Sequence, residues 1–119
     1  MILVDTSVWI DHFRRSIPAL VRDLENGAVA SHPFVVGELV LGSLRNRAET
    51  VDLLRELPAL DVVAHDDVLQ FVDRHGLPGS GVGWIDAHLL CAAAAADLLI
   101  WTHDRNLRAR AAKMGLLAR

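Results

Sequence analysis

The 119-residue chain has one cysteine, one lysine and six aromatic side chains, and each scarcity excludes something. The lone Cys91 closes no internal disulfide, so this is not a disulfide-stapled scaffold. Trp9, Phe13, Phe34, Phe71, Trp84 and Trp101 make up 5% of the residues and are too scattered for the base-stacking platform of a single-strand binder. The longest apolar tract, Leu89 to Trp101, is interrupted by Asp97 and is too short to cross a bilayer, so no membrane segment is expected. Asp5 breaks the first apolar run too early for a signal peptide, and with the unpaired cysteine this points to a reducing, cytoplasmic location.

What is present suits a folded α/β protein. Hydrophobic residues are 52% and charged residues 23%, which excludes a disordered or fibrous chain. Area scaling for 13.0 kDa leaves about 6,300 Å² exposed and about two-thirds of the chain's surface buried, the proportions of one domain over residues 1–119. The net charge of −3 counts against a nucleic-acid partner. Eleven of the twelve basic residues are arginines, however, and Arg14, Arg15, Arg22, Arg45, Arg47, Arg105, Arg108 and Arg110 cluster into local basic edges.

Apolar runs alternate with helical patterns along the chain. Ile2 to Val4 reads as a strand buried on both faces, followed by a helix carrying Val8, Trp9, Ile10 and Phe13 and capped by Thr6 or Ser7. A helix is expected from Pro18 to Gly27, a weak strand over 28–31, and a nearly buried helix from Pro33 to Leu44. Another helix follows to Leu57, then a strand with Leu60, Val62 and Val63, a helix over 66–75 and a glycine-rich loop over 76–83. Trp84 to Ala96 is an alanine-rich helix, Leu98 to Trp101 a buried strand and Arg105 to Lys113 a helix, with an edge strand expected over 116–118. This order implies a three-layer α/β/α sandwich with a mainly parallel sheet.

Two of these strands end in a carboxylate, Asp5 and Asp104, at the sheet edge where ligands of open parallel sheets bind. Taken singly, each is as readily a helix N-cap. Glu38 has apolar or small helical neighbours, Phe34, Val35, Leu41 and Gly42, and no basic residue at helical spacing, so it reads either as a buried unpaired carboxylate, which is costly, or as a glutamate at the rim of an apolar face. Asp86 falls in the first turn of its helix, where the macrodipole alone would favour an acid. If Asp5, Glu38, Asp86 and Asp104 converge with no lysine among them, oxygen-only ligation favours a hard ion, Mg²⁺ or Mn²⁺, and the chemistry of phosphodiester hydrolysis by activated water. Crowded acids would repel, so removing Asp5 would be neutral or stabilising without metal, whereas loss of a mere cap would destabilise.

The segments MILVDTSVWID, FVVGELVLG, GVGWIDAHLL and WTHDRNL, in that order and over nearly the whole chain, resemble the PIN-domain ribonucleases, and more narrowly the VapC-type toxins of type II toxin-antitoxin systems. The resemblance implies an RNA substrate, a cognate antitoxin as partner, Asp5 and Asp86 as main metal ligands, Glu38 and Asp104 completing the site, and Ser7 hydrogen-bonding within it. Related sequences often carry a further acid where this chain has Asn106, so the choice between one ion and two stays open, as does assembly into a homodimer. The loop over 76–83 lacks the Lys-Ser/Thr ending of a phosphate-binding loop and is expected to deliver Asp86. No histidines have zinc spacing; His88 and His103 are expected to be solvated or satisfied, and Cys91 to be a packing residue. Two readings from other classes remain. A receiver-like signalling domain would need a lysine at a late strand end, whereas Lys113 lies in the terminal helix. A non-catalytic binding module would show no divalent-ion dependence.

Overall fold

A computed structural model describes residues 1–119. Its sheet has three parallel strands in the order β2-β1-β3: β1 (Ile2–Val4), β2 (Val29–Ala30) and β3 (Leu99–Trp101). Seven helices surround them: α1 (Thr6–Arg14), α2 (Pro18–Glu25), α3 (Pro33–Leu41), α4 (Arg47–Glu56), α5 (His65–Arg74), α6 (Trp84–Ala96) and α7 (Arg105–Lys113). Leu3 and Val4 are fully buried on the central strand, as strands covered by helices on both faces must be. They join Leu20, Val29, Leu89, Leu90, Ile100 and Leu107 in one continuous core. Helix α6 runs through it, buried from Ala87 to Ala93, and its small alanines let neighbouring elements approach closely.

The two outer strands expected at 60–63 and 116–118 shrink to single bridges, Ser31 to Ala59 and Ile100 to Leu117. Beyond Ser31 the chain turns at once, because His32 caps α3, so only one residue remains for Ala59 to pair with; Val62 is left 45% exposed. Helix α3 also stops earlier than expected, at Leu41, with Gly42 as its cap. It is not nearly buried: Val35 and Leu39 are buried in the core and Val36 packs partly against it, while Leu41 is 89% exposed.

These bridges extend the strand order to Ala59, β2, β1, β3, Leu117. The chain moves outward from β1 on one side, then returns to lie on β1's other side as β3. The reversal falls between β1 and β3, and in open parallel sheets the crevice at such a reversal, beyond the carboxyl ends of the strands, is where ligands bind.

Candidate metal centre

Asp5 ends β1 at that crevice. Its backbone N–H donates to the Trp101 carbonyl at 2.9 Å, carrying the β1–β3 ladder one residue further. Its carboxylate is buried, 4% exposed, and Oδ2 accepts from the Ser7 hydroxyl at 2.7 Å, the Thr102 hydroxyl at 2.8 Å and, weakly, the Ser7 N–H at 3.4 Å. Every one of these donors converges on Oδ2, which leaves Oδ1 without a protein partner. The network continues to β3: Thr102 Oγ1 accepts from the Asp104 N–H at 3.0 Å, and Ser7 Oγ from the His103 N–H at 2.9 Å. Asp104 Oδ1 accepts from the Leu107 N–H at 2.9 Å and caps α7. Asp5 and Asp104 are therefore helix caps and members of the crevice at once, two roles that the sequence presents as alternatives.

Asp86 enters from the first turn of α6 and Glu38 from the second turn of α3. Asp86 is half-buried, and its carboxyl is pushed up to about 7, first by loss of solvent and then by the negative charges of Asp5, Asp104 and Glu38. Glu38 is raised as well, by desolvation and by Asp5, against a Thr6 hydroxyl that donates to it at 3.3 Å. Of the two sequence readings of Glu38 the structure takes the rim: the residue is exposed, while Val35 and Leu39 of the same helix are buried.

Asp86 thus lies under the charge of the other three acids and Glu38 under that of Asp5, and no lysine or arginine pairs with any of them. The only ion pairs in the chain are His103 with Asp11 and Arg119 with Asp23. Nor do any three acidic, histidine or cysteine side chains already form a closed ligand cage, as expected of like charges that repel. An all-oxygen, uncompensated donor set of this kind suits a hard divalent cation.

The remaining candidates are placed as follows. Asn106 does not reach into the acids; its amide donates to the Gly81 carbonyl at 3.3 Å. A Cβ at Gly81 would lie 2.5 Å from that amide nitrogen, and its φ of +84° favours glycine. The contact ties the 76–83 loop to α7 and steadies the approach to Asp86. His103 pairs with Asp11 at 2.6 Å and stays exposed, as expected. Cys91 is buried packing, and burial pushes its thiol up. His88 departs from expectation: it is 4% exposed, yet its Nδ1 has no partner. Sequence reasoning missed His32, the α3 cap, whose only signal was its place just before Pro33.

A parallel sheet with acids beyond the ends of two adjacent strands at the topological reversal, and two more acids delivered by flanking helices, defines an α/β protein with an acidic crevice. The PIN domain family model matches residues 2–113. Ribonuclease VapC32 of Mycobacterium tuberculosis, in two strains, is 44% identical over 117 residues, covering 98% of this chain and 94% of the relative. The crystal structure of PAE2754 from Pyrobaculum aerophilum superposes with a TM-score of 0.65 at 18% identity, over 92% of this chain and 83% of that one, a likeness of fold. The chain belongs to the PIN domain family.

Proposed function

We propose that this chain is an endoribonuclease and the toxin of a type II toxin-antitoxin pair, hydrolysing RNA phosphodiesters at Asp5, Glu38, Asp86 and Asp104. The observation that most supports this is the raised carboxyl of Asp86, pushed up to about 7 by burial and by the charge of three other acids, in a chain 44% identical to a ribonuclease. Asp5 and Asp86 are the main ligands of a divalent ion, Glu38 and Asp104 complete the set, and Mg²⁺ is the natural ion, with Mn²⁺ able to replace it. A divalent ion held there supplies Lewis acidity and an acidified water for attack on phosphorus.

The chain's own groups prepare that site. Ser7 and Thr102 hold Oδ2 of Asp5 by two hydroxyl donors, so the carboxylate keeps its orientation when a ligand or substrate arrives. Asp104 is fixed through its cap on Leu107. Asn106 acts at one remove, by steadying the loop that leads to Asp86.

The same proposal has residues 1–119 working as one domain in the cytoplasm, and no helix is long and apolar enough to cross a membrane. A groove of about 710 Å³, lined by Ile10, Phe13, Arg14, Glu38, Leu44 and Arg45, includes one of the four acids and supports docking of a small antitoxin that places a basic side chain against Glu38. Exposed Leu41, Leu53 and Trp84 support a homodimer, which analytical ultracentrifugation reads.

Purified protein is expected to cut RNA with Mg²⁺ or Mn²⁺, to stop in EDTA, and to lose activity in Asp86→Asn. Expression alone is expected to arrest growth until the antitoxin is supplied. Cleavage that persists in EDTA, or unchanged growth with intact soluble protein, refutes the proposal and returns the chain to a non-catalytic reading.

A further inference from the structure

Two buried imidazoles lie outside the network of the four acids. His32 is fully buried, and its Nδ1 accepts a hydrogen bond from the Phe34 N–H at 2.9 Å. A nitrogen that accepts in this way bears no proton, so the His32 ring is neutral and its Nε2 carries the hydrogen. That N–H is a buried donor with no protein acceptor, and His88 Nδ1 is buried and equally unpartnered. Stranding such groups is costly. The two become complementary when His88 carries its hydrogen on Nε2 and presents Nδ1 as acceptor.

The surrounding rings place both against Phe34. Phe34 lies 5.0 Å from His32 and 4.9 Å from His88, edge to face with both. Trp84 closes on His88 at 4.9 Å, almost perpendicular, so aromatic surface screens the pair. We infer that one buried water bridges the two, accepting from His32 Nε2–H and donating to His88 Nδ1, and that this bridging bond positions Glu38 relative to Asp86.

The reason lies in how the acids are divided. His32 caps α3, the helix of Glu38, and His88 follows Asp86 by two residues on α6. Helix α3 packs mainly on α1 and α4, whereas α6 packs on α5 and β3. Glu38 and Asp86 therefore ride on different packing units that meet where Phe34 packs on His88, and the water bridge between the imidazoles fixes how they meet. Both histidines are positioning residues, and their role rests on the acid-centre reading above.

Nitrogen-15 spectroscopy of the parent protein reads the tautomers. The expected result is a slowly exchanging proton on His32 Nε2 and an unprotonated His88 Nδ1; the opposite state at either nitrogen overturns the bond. Binding of Mn²⁺ without RNA, followed by electron paramagnetic resonance, reads the role. His88→Leu strands the His32 proton and is expected to weaken Mn²⁺ binding about tenfold and to lower kcat with KM little changed. His88→Gln offers an amide oxygen as acceptor and is expected to stay within about threefold of the parent. Unchanged binding in His88→Leu, or tenfold weaker binding in a folded His88→Gln, overturns the positioning role. Should His88→Leu fail to fold, the glutamine variant and the parent's tautomers decide. A parent that binds no Mn²⁺ refutes the acid-centre reading and the role with it, while the tautomer spectra still judge the bond on its own.

Discussion

Asp5 and Asp104 differ from Glu38 and Asp86 in what holds them. The first two sit at strand ends, where hydroxyls of Ser7 and Thr102 and the backbone N–H of Leu107 fix their oxygens. The second two arrive on helices with one weak hydrogen bond between them, from Thr6 to Glu38, and their carboxyls are raised by desolvation and repulsion. Half of the centre is thus preorganised by hydrogen bonds and half is held by helix packing against its own electrostatics. The contrast teaches that an acid in such a cluster can stabilise or destabilise the fold depending on which half it belongs to.

The largest effect expected on stability comes from the bonded half. Asp5→Ala removes a helix cap and leaves the fully buried Thr102 hydroxyl without its acceptor. Together these cost about 2 to 3 kcal/mol, more than the repulsion relieved, which is about 10 °C or more in melting temperature for a chain of this size. Thermal melts in EDTA check it, and a neutral or stabilised variant would place Asp5 with the repelled half. The sequence presents capping, whose loss destabilises, and crowding, whose loss does not, as exclusive alternatives; with both features at Asp5 the loss of the cap and acceptor is expected to prevail.

A smaller effect separates orientation from charge. Thr102→Val keeps every carboxylate and removes one donor to Asp5 Oδ2. Divalent-ion affinity, measured by calorimetry, is expected to fall about tenfold, at the lower end for loss of a group that orients a ligand, since the Ser7 hydroxyl still donates at 2.7 Å. Full affinity in Thr102→Val would mean that the hydroxyl serves only the fold.

How much of this was legible in the sequence follows the same division. Asp5 and Asp104 could be placed because an apolar run followed by an acid is a local pattern, and the sheet edge it implies is a property of parallel strands. Asp86 was legible through the turn that begins α6. Glu38's exposure stayed one of two readings, because apolar or small neighbours do not say which of them another element covers: Val35 is fully buried, whereas Leu41 is 89% exposed. The outer strands failed for a related reason, since the apolar residues of 60–63 and 116–118 could not reveal that each would find only one residue to pair with. His32 and His88 were illegible as a pair, because their complementarity depends on tautomer and on a contact between distant segments.

The last expected effect belongs to the repelled half and depends on pH. Asp86 has an ordinary value of 3.8 and is pushed up to about 7 in the folded chain, so between those values the folded state binds a proton that the unfolded state has released. The stability this contributes is fully present below about pH 4 and is lost as pH rises through about 7. Because solvent reaches part of the half-buried carboxyl and screens the repulsion, the loss between pH 4 and pH 8 in EDTA is about 1 to 2 kcal/mol. Asp86→Asn cannot ionise, so its melting temperature in EDTA is expected to show a shallower decline over that interval and to exceed the parent's at pH 8. Mg²⁺ should stabilise the parent increasingly over the same interval, because ligation requires the ionised carboxylate, and should leave Asp86→Asn nearly unmoved. Parallel pH profiles for parent and variant in EDTA would mean that Asp86 is not under the charge of the other three acids, and the two halves of the centre would then be alike.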